Sequence, residues 1–334
     1  MSDHTDLAGF GVAVGHATDS KGATGLTVLR GISDPLRAGV AIVGHATGSR
    51  ELLAASPEHL VDGRIDAILL TGGSAYGLDA AAGVMRWMEE HGRGFQVGPG
   101  VVPIVPAAVV FDLTPLGRFD ARPTAEMAYA ATESARSSEI AEGAVGAGTG
   151  TTVGKIGGPA LAMKGGVGLA VEGDPDEGLA AFALAVVNAF GDVRDSNGRI
   201  IAGARLPGNH EGFADTAATL ARATRKTAAS FDELAGRNTT LAIVGVNRAM
   251  SSVELTALAR AATAAFFRRI TPCGTAFDGD ILFAISPIGG EKPDGPPAVA
   301  GAMAAAALER ALERAVVLAK GREEIPGIAD TNGH

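Results

Sequence analysis

The sequence predicts a protein of mixed strand and helix. Three observations point there. Residues 7–150 carry short apolar runs cut by Gly and Pro, the pattern of strands with tight connections. Blocks of helical periodicity stand between and after those runs. From residue 239 onward the order is strand, helix, strand, helix. A chain of 334 residues is long enough for two domains or one large layered domain, and ample to bury a core. Glycine stands at 47 positions, about twice the usual ~7%, so many sites serve turns and close backbone approach.

Each element follows from local pattern. Strands are expected at 11–14, 26–29, 39–43, 67–70 and 101–111. A helix is expected over 76–91, where Leu78, Ala82, Met85 and Met88 recur at near-helical spacing and Gly92 stops it. A second, over 123–137, begins with Pro, whose missing N–H costs least in a first turn. The pentapeptide Val-Gly-His-Ala-Thr occurs at 14–18 and at 43–47, which reads as two similar strand ends rather than a repeat. Residues 143–195 alternate Gly-rich turns with runs of small residues, and periodicity leaves their type open. Residues 205–238 are polar and read as an exposed helix and linker. A β-branched strand then covers 239–246. A helix over 251–268 opens with the capping box Ser251-x-x-Glu254 and has Val253, Leu255, Leu258, Ala262, Ala265 and Phe266 on its apolar face. A strand at 281–286 and an Ala-rich helix over 297–320, with Leu308, Leu312 and Val316 on one face, complete the pattern. The last fourteen residues read as a frayed tail.

Composition excludes several classes. A net charge of −9 argues against a binder of nucleic-acid backbone, which needs a basic face. One cysteine, Cys273, rules out an internal disulfide framework. The start is polar, without the basic and apolar regions of a signal peptide. The longest apolar runs, 179–187 and 298–308, fall short of the ~20 residues that span a bilayer. A soluble cytoplasmic protein, with neither membrane nor nucleic acid as partner, is expected.

Most motif matches fail on spacing. The stretch 146–155 ends in Gly-Lys but has Thr149 where a phosphate loop needs Gly and Ile156 where it needs Ser or Thr. Locally it reads as a glycine-rich turn with a surface lysine. Asp278-Gly279-Asp280 lacks the following ligands of a calcium loop, since Leu282 and Phe283 stand there. The seven histidines show no metal-ligand spacing, so no metal is expected. Cys273 beside Pro272 reads as a small buried hydrophobe rather than a nucleophile. Asn238-Thr239-Thr240, taken alone, reads as a turn leading into a strand, but its setting raises an alternative. A polar segment ends there abruptly at a strand, and a Thr at such a junction can attack the carbonyl before it and become a new N-terminus.

The chain resembles the S58 (P1) peptidase family, which includes the DmpA-type aminopeptidases and the nylon-oligomer (6-aminohexanoate oligomer) hydrolase. The matching segments lie in family order over roughly 10–286: Gly15-His-Ala-Thr-Asp19, Leu70-Thr-Gly-Gly-Ser-Ala-Tyr-Gly-Leu78, the Pro-containing run 102–112, Gly154-Lys155, Lys164-Gly-Gly-Val-Gly168, 187–192, Asn238-Thr-Thr240 and 278–284. The resemblance implies an α+β fold of four layers, αββα, over one domain spanning 1–334. It also implies a self-cleaving precursor of the N-terminal-nucleophile type. By analogy the break falls between Asn238 and Thr239, leaving an α chain 1–238 and a β chain 239–334. Site residues map onto Thr239 as nucleophile, Lys155 and Asn188 from the α chain, and Asp278 and Asp280 from the β chain. Tyr76 maps to a substrate-side contact. Thr in place of the aminopeptidases' Ser, with the Asp pair, is more similar to the nylon-oligomer branch. The implied activity is amide or peptide hydrolysis through an acyl-enzyme, without a cofactor, in a homo-oligomer such as a tetramer of αβ units. The alternatives are an acyltransferase of the ornithine acetyltransferase type, whose usual Ala-Thr-Met junction is absent here, and an unprocessed binding protein.

Physical chemistry assigns provisional roles. A threonine hydroxyl needs a base, and a Thr N-terminus supplies its own amine, which titrates near ~7.7–8.0. Lys155 would need a drop of about 3 units from ~10.4 to serve instead, so it reads as a cation beside the amine. Asn188 reads as an oxyanion donor. Asp278 and Asp280, two residues apart, would point the same way and orient Lys155 and the Thr239 amine.

Overall fold

A computed structural model describes residues 5–208, 212–223, 237–293 and 295–330. Two sheets carry the architecture. We number their strands along the chain. The first runs in the order β1 (Val12–Asp19), β2 (Thr24–Gly31), β6 (Ala67–Thr71), β7 (Ala107–Val109) and β4 (Ser49–Arg50). The second runs β8 (Gly166–Glu172), β9 (Ala181–Asn188), β10 (Thr239–Val246), β11 (Ile281–Pro287), β3 (Leu36–Ile42) and β5 (Arg64–Ile65). Among the described residues the α-helices are α1 (Ala81–Glu90), α2 (Ala125–Glu133), α3 (Thr216–Ala221), α4 (Ser252–Ala262), α5 (Ala264–Arg269) and α6 (Pro297–Val317).

Side-chain alternation builds the layers. In β9, Phe182, Leu184 and Val186 face the first sheet and pack with Val12, Val14, Leu29, Ile68 and Leu70. The intervening Ala181, Ala183, Ala185 and Val187 face α4, α5 and α6. On the far side, Leu26, Val28 and Leu69 pack against Val84, Trp87 and Met88 of α1 and Ala128 and Ala131 of α2. Three apolar interfaces thus separate four layers, and the architecture is αββα. Small residues permit close contact: a Cβ on Gly168 of β8 would stand 2.0 Å from the Ala311 carbonyl oxygen of α6. Alanine in α6 has the same consequence, with Ala304, Ala307, Ala311 and Ala315 buried against the sheet. No helix among the described residues is long and apolar enough to cross a membrane.

Several expectations need correction. The helix expected over 76–91 is a 3-10 turn, Ser74–Ala80, followed by α1. The second expected helix is shorter: Thr124 caps α2 by accepting the Met127 N–H, so Pro123 precedes the cap rather than opening the first turn. The expected strand 101–111 is interrupted by Pro103 and Pro106, leaving Gly100–Val102 in a hairpin and β7 in the sheet. The capping box at Ser251 is present, but the helix divides at Thr263 into α4 and α5. The described part of the expected linker is tied down: Asp192 accepts the Thr216 N–H at 2.6 Å and its hydroxyl at 2.8 Å. Residues 209–211 and 224–236 of that linker lie outside the described residues. The expected tail is docked as far as it is described, since the Lys164 N–H bonds the Pro326 carbonyl and Ala329 N–H bonds Ala319.

Candidate active site

Strand register assembles the site at one end of the second sheet. β9 and β10 pair antiparallel with Asn188 opposite Thr239. β10 and β11 pair parallel, and a bridge between Asn238 and Asp278 extends that ladder by one step beyond β10. The end of β9, the start of β10 and the entry to β11 therefore meet. Lys155 reaches the same point from the loop after Thr152–Val153. The structure brings together Lys155, Asn188, Asn238, Thr239, Asp278 and Asp280, all buried.

The geometry around the 238–239 peptide is specific. Thr239 Oγ1 donates to the Asn238 carbonyl oxygen at 2.6 Å. The Gly279 N–H donates to that same oxygen at 2.9 Å. A Cβ on Gly279 would lie 2.6 Å from the Ala46 carbonyl oxygen and 3.0 Å from Thr239 Oγ1, so this position has no room for a side chain. Sequence reasoning missed Gly279, because a backbone N–H leaves no residue-type signal beyond the need for glycine.

Lys155 is not a surface residue. Its Nζ donates to the Asn188 backbone carbonyl at 2.9 Å, to Asn188 Oδ1 at 3.0 Å and to the Arg237 carbonyl at 3.3 Å. Burial lowers its pKa to about 7, against the opposing pull of Asp278 and Asp280. The drop that counted against Lys155 as a base is thus supplied by desolvation. Asn188 Oδ1 accepts the Thr152 N–H at 3.0 Å, while Nδ2 donates to the carbonyls of Phe111 at 2.9 Å and Arg237 at 3.4 Å. Its amide therefore addresses the carbonyl one residue before the one Gly279 holds.

The aspartates divide their work. Asp278 Oδ2 turns back to Thr275, accepting its N–H at 3.0 Å and hydroxyl at 2.7 Å. Asp280 accepts the Thr240 N–H at 2.5 Å, the Gly274 N–H at 3.1 Å and the Cys273 thiol at 3.2 Å. Neither carboxylate hydrogen-bonds Lys155, so the expected direct orientation of the lysine is not made. Burial pushes both pKa values up, and the Asp278 charge pushes Asp280 further. Cys273 is a partly buried thiol whose pKa is raised by burial and by both aspartates, the opposite of an activated nucleophile.

A cavity of about 50 Å³, room for a few waters, adjoins the site and is lined by Thr114, Pro115, Thr152, Lys155, Pro159, Ala162, Arg237 and Asn238. Tyr76 lies elsewhere, half exposed on a wide open groove, with the Arg122 guanidinium stacked 3.5 Å from its ring centre. Among the described residues, no group of three or more His, Cys, Asp or Glu side chains is placed to hold a metal ion.

Residues 4–325 match Peptidase family S58. The chain belongs to that family. It is 38% identical over 307 residues to an uncharacterised aminopeptidase of Mycobacterium leprae, covering 86% of this chain and 78% of the relative. It is 30% identical over 295 residues to a 6-aminohexanoate-oligomer endohydrolase of Kocuria sp., covering 83% and 73%. The fold is similar to that of the L-aminopeptidase D-Ala-esterase/amidase of Ochrobactrum anthropi, described as a variant of the Ntn hydrolase fold. That match has TM-score 0.67, with 19% identity over 94% of this chain and 87% of the other. As an S58 member the protein is a hydrolase of amide bonds.

Proposed function

We propose that this protein is a self-processing amide hydrolase whose nucleophile is Thr239, released by cleavage of the Asn238–Thr239 bond. One observation carries the reading: the Thr239 hydroxyl and the Gly279 N–H converge on the oxygen of the carbonyl immediately before Thr239. Attack of Oγ on that carbonyl carbon develops negative charge on an oxygen that already has a backbone donor at hydrogen-bond distance. Before cleavage the Thr239 nitrogen is an amide and is no base. Lys155, with a pKa near 7 and held through Asn188 opposite Thr239, is the group for the hydroxyl proton in that first step. The C–N bond then breaks, the proton passes to the departing amine, and water hydrolyses the ester. The freed amine serves as base in later turnovers.

Asp280 fixes the start of β10 by its bond to the Thr240 N–H, and Asp278 holds the Thr275–Gly279 turn that presents the Gly279 donor. Thr239 and, in the first step, Lys155 act on the reacting atoms; Asn188, which holds Lys155 and the preceding Arg237 carbonyl, and the aspartates position them. Peptides and ω-amino-acid oligomers are the substrate classes favoured by the relatives, and the active unit is a homo-oligomer of αβ pairs working in the cytoplasm. Purified protein analysed by intact mass should show two chains, near 24 and 10 kDa when 33.5 kDa is divided by length at residue 238. Thr239→Ala should remain one inactive chain. Cleavage at this bond surviving that substitution would refute the assignment.

A further inference from the structure

The uncut chain carries its own acyl group. Attack of Thr239 Oγ on the Asn238 carbonyl forms an Oγ–C ester and breaks the 238–239 C–N bond, with the proton going to the new amine. That ester has the same atoms around the nucleophile as an acyl-enzyme made from an external amide. The segment entering the bond therefore traces where the acyl half of a substrate lies, because the same oxyanion donor orients both.

That trace has a second polar anchor. One residue before the scissile carbonyl, the Arg237 carbonyl oxygen receives Lys155 Nζ at 3.3 Å and Asn188 Nδ2 at 3.4 Å. The scissile carbonyl receives Gly279 N–H at 2.9 Å. Two successive carbonyls, each met by its own donors, match a residue whose amino group is in amide linkage. A free amino terminus has no carbonyl there. It would put an ammonium against the Lys155 amine and the Asn188 amide N–H, while the nearby carboxylates of Asp278 and Asp280 make their hydrogen bonds to Thr275, Thr240 and Gly274.

We propose that the processed enzyme has an acyl subsite for an N-acylated residue, formed by Lys155 Nζ and Asn188 Nδ2. It cleaves after blocked or internal residues in preference to residues with a free amine. The inference rests on Thr239 as the nucleophile. The test uses processed protein, its β chain confirmed by N-terminal sequencing to begin at Thr239, and three p-nitroanilides of one scaffold. These are N-acetylasparagine, the des-amino analogue of asparagine, and asparagine with its amine free. We expect kcat/KM for the acetylated compound to exceed the des-amino one about tenfold, the worth of one charge-assisted carbonyl contact, with the free amine slowest. A free amine that reacts fastest, or an acetyl group that adds nothing, overturns the inference and leaves the nucleophile standing. Processed protein that cleaves none of the three also overturns it. An uncut chain that cleaves any of them refutes the nucleophile reading, and the inference with it.

Discussion

Lys155 and Lys164 stand nine positions apart, and burial lowers both from 10.5 to about 7. Their surroundings differ. Lys164 Nζ is saturated by the carbonyls of Gly148 at 2.7 Å, Gly165 at 2.8 Å and Thr151 at 3.0 Å. Its neighbour Asp112, raised to about 6 by burial, is held in turn by the Thr24 hydroxyl and the Gly73 N–H, each at 2.6 Å. Lys155 gives two bonds to Asn188, and its third reaches the segment adjoining the 238–239 peptide. A lowered pKa is therefore a mark of burial and not of function. What separates the two is whether the nitrogen faces a cavity and a bond that can change. Lys164 knots together the turn from which the chain runs on to Lys155.

This contrast can be broken at several points, the largest effect first. Lys155→Met should cut processing and turnover by about 10²–10⁴, with a stability cost similar to that of Lys164→Met, since each lysine serves three buried oxygens of which two keep another donor. Turnover per folded molecule that stays within about threefold of the parent would make Lys155 structural. Lys164→Met should cost stability alone. Three buried carbonyls lose one donor each, of which Gly148 keeps the Thr151 hydroxyl and Thr151 the Gly165 N–H, so we expect a loss of roughly 1–3 kcal/mol in urea unfolding, with turnover per folded molecule changed by no more than about threefold.

The pH dependence is the next test. In the folded protein both lysines titrate below their unfolded value, so the unfolded chain binds more protons between about pH 7 and 10.5. Stability should thus rise with pH across that window, by at most about 1.4 kcal/mol per unit for each lysine, and either Met variant should flatten the slope measured by urea unfolding at pH 7 and 9. Self-cleavage of freshly synthesised chain should accelerate as pH rises through about 7, and only Lys155→Met should remove that dependence. The smallest effect belongs to Cys273→Ala. Asp280 keeps its bonds to Thr240 and Gly274, so turnover should stay within about threefold of the parent.

The sequence was most legible where side chains carry the signal. The 239–246 strand has the expected bounds, and the Ser251–Glu254 box caps its helix as read. The region 143–195 stayed ambiguous because β8 and β9 are buried on both faces and rich in Gly and Ala, so neither shows the alternation that identifies a strand. The site was partly legible for a related reason. Thr239, Lys155, Asn188 and the aspartates have distinctive chemistry at recognisable positions, and they meet. Gly279 acts through its N–H and Lys164 through carbonyl partners, and neither relation is written in residue types. Tyr76 was placed by its motif, whereas the fold stacks it under Arg122 on a separate groove.

The two strands that residues 239–334 contribute to the second sheet, β10 and β11, sit side by side in its middle, with β9 on one flank and β3 on the other. Scission ahead of Thr239 would therefore release no fragment: the pieces stay interleaved like fingers of clasped hands, and their new ends remain in place. The continuous backbone that guided this interleaving would be gone. Once denatured, such a pair would have to find its partner by diffusion, so heat or urea should inactivate the mature protein far less reversibly than the uncut one.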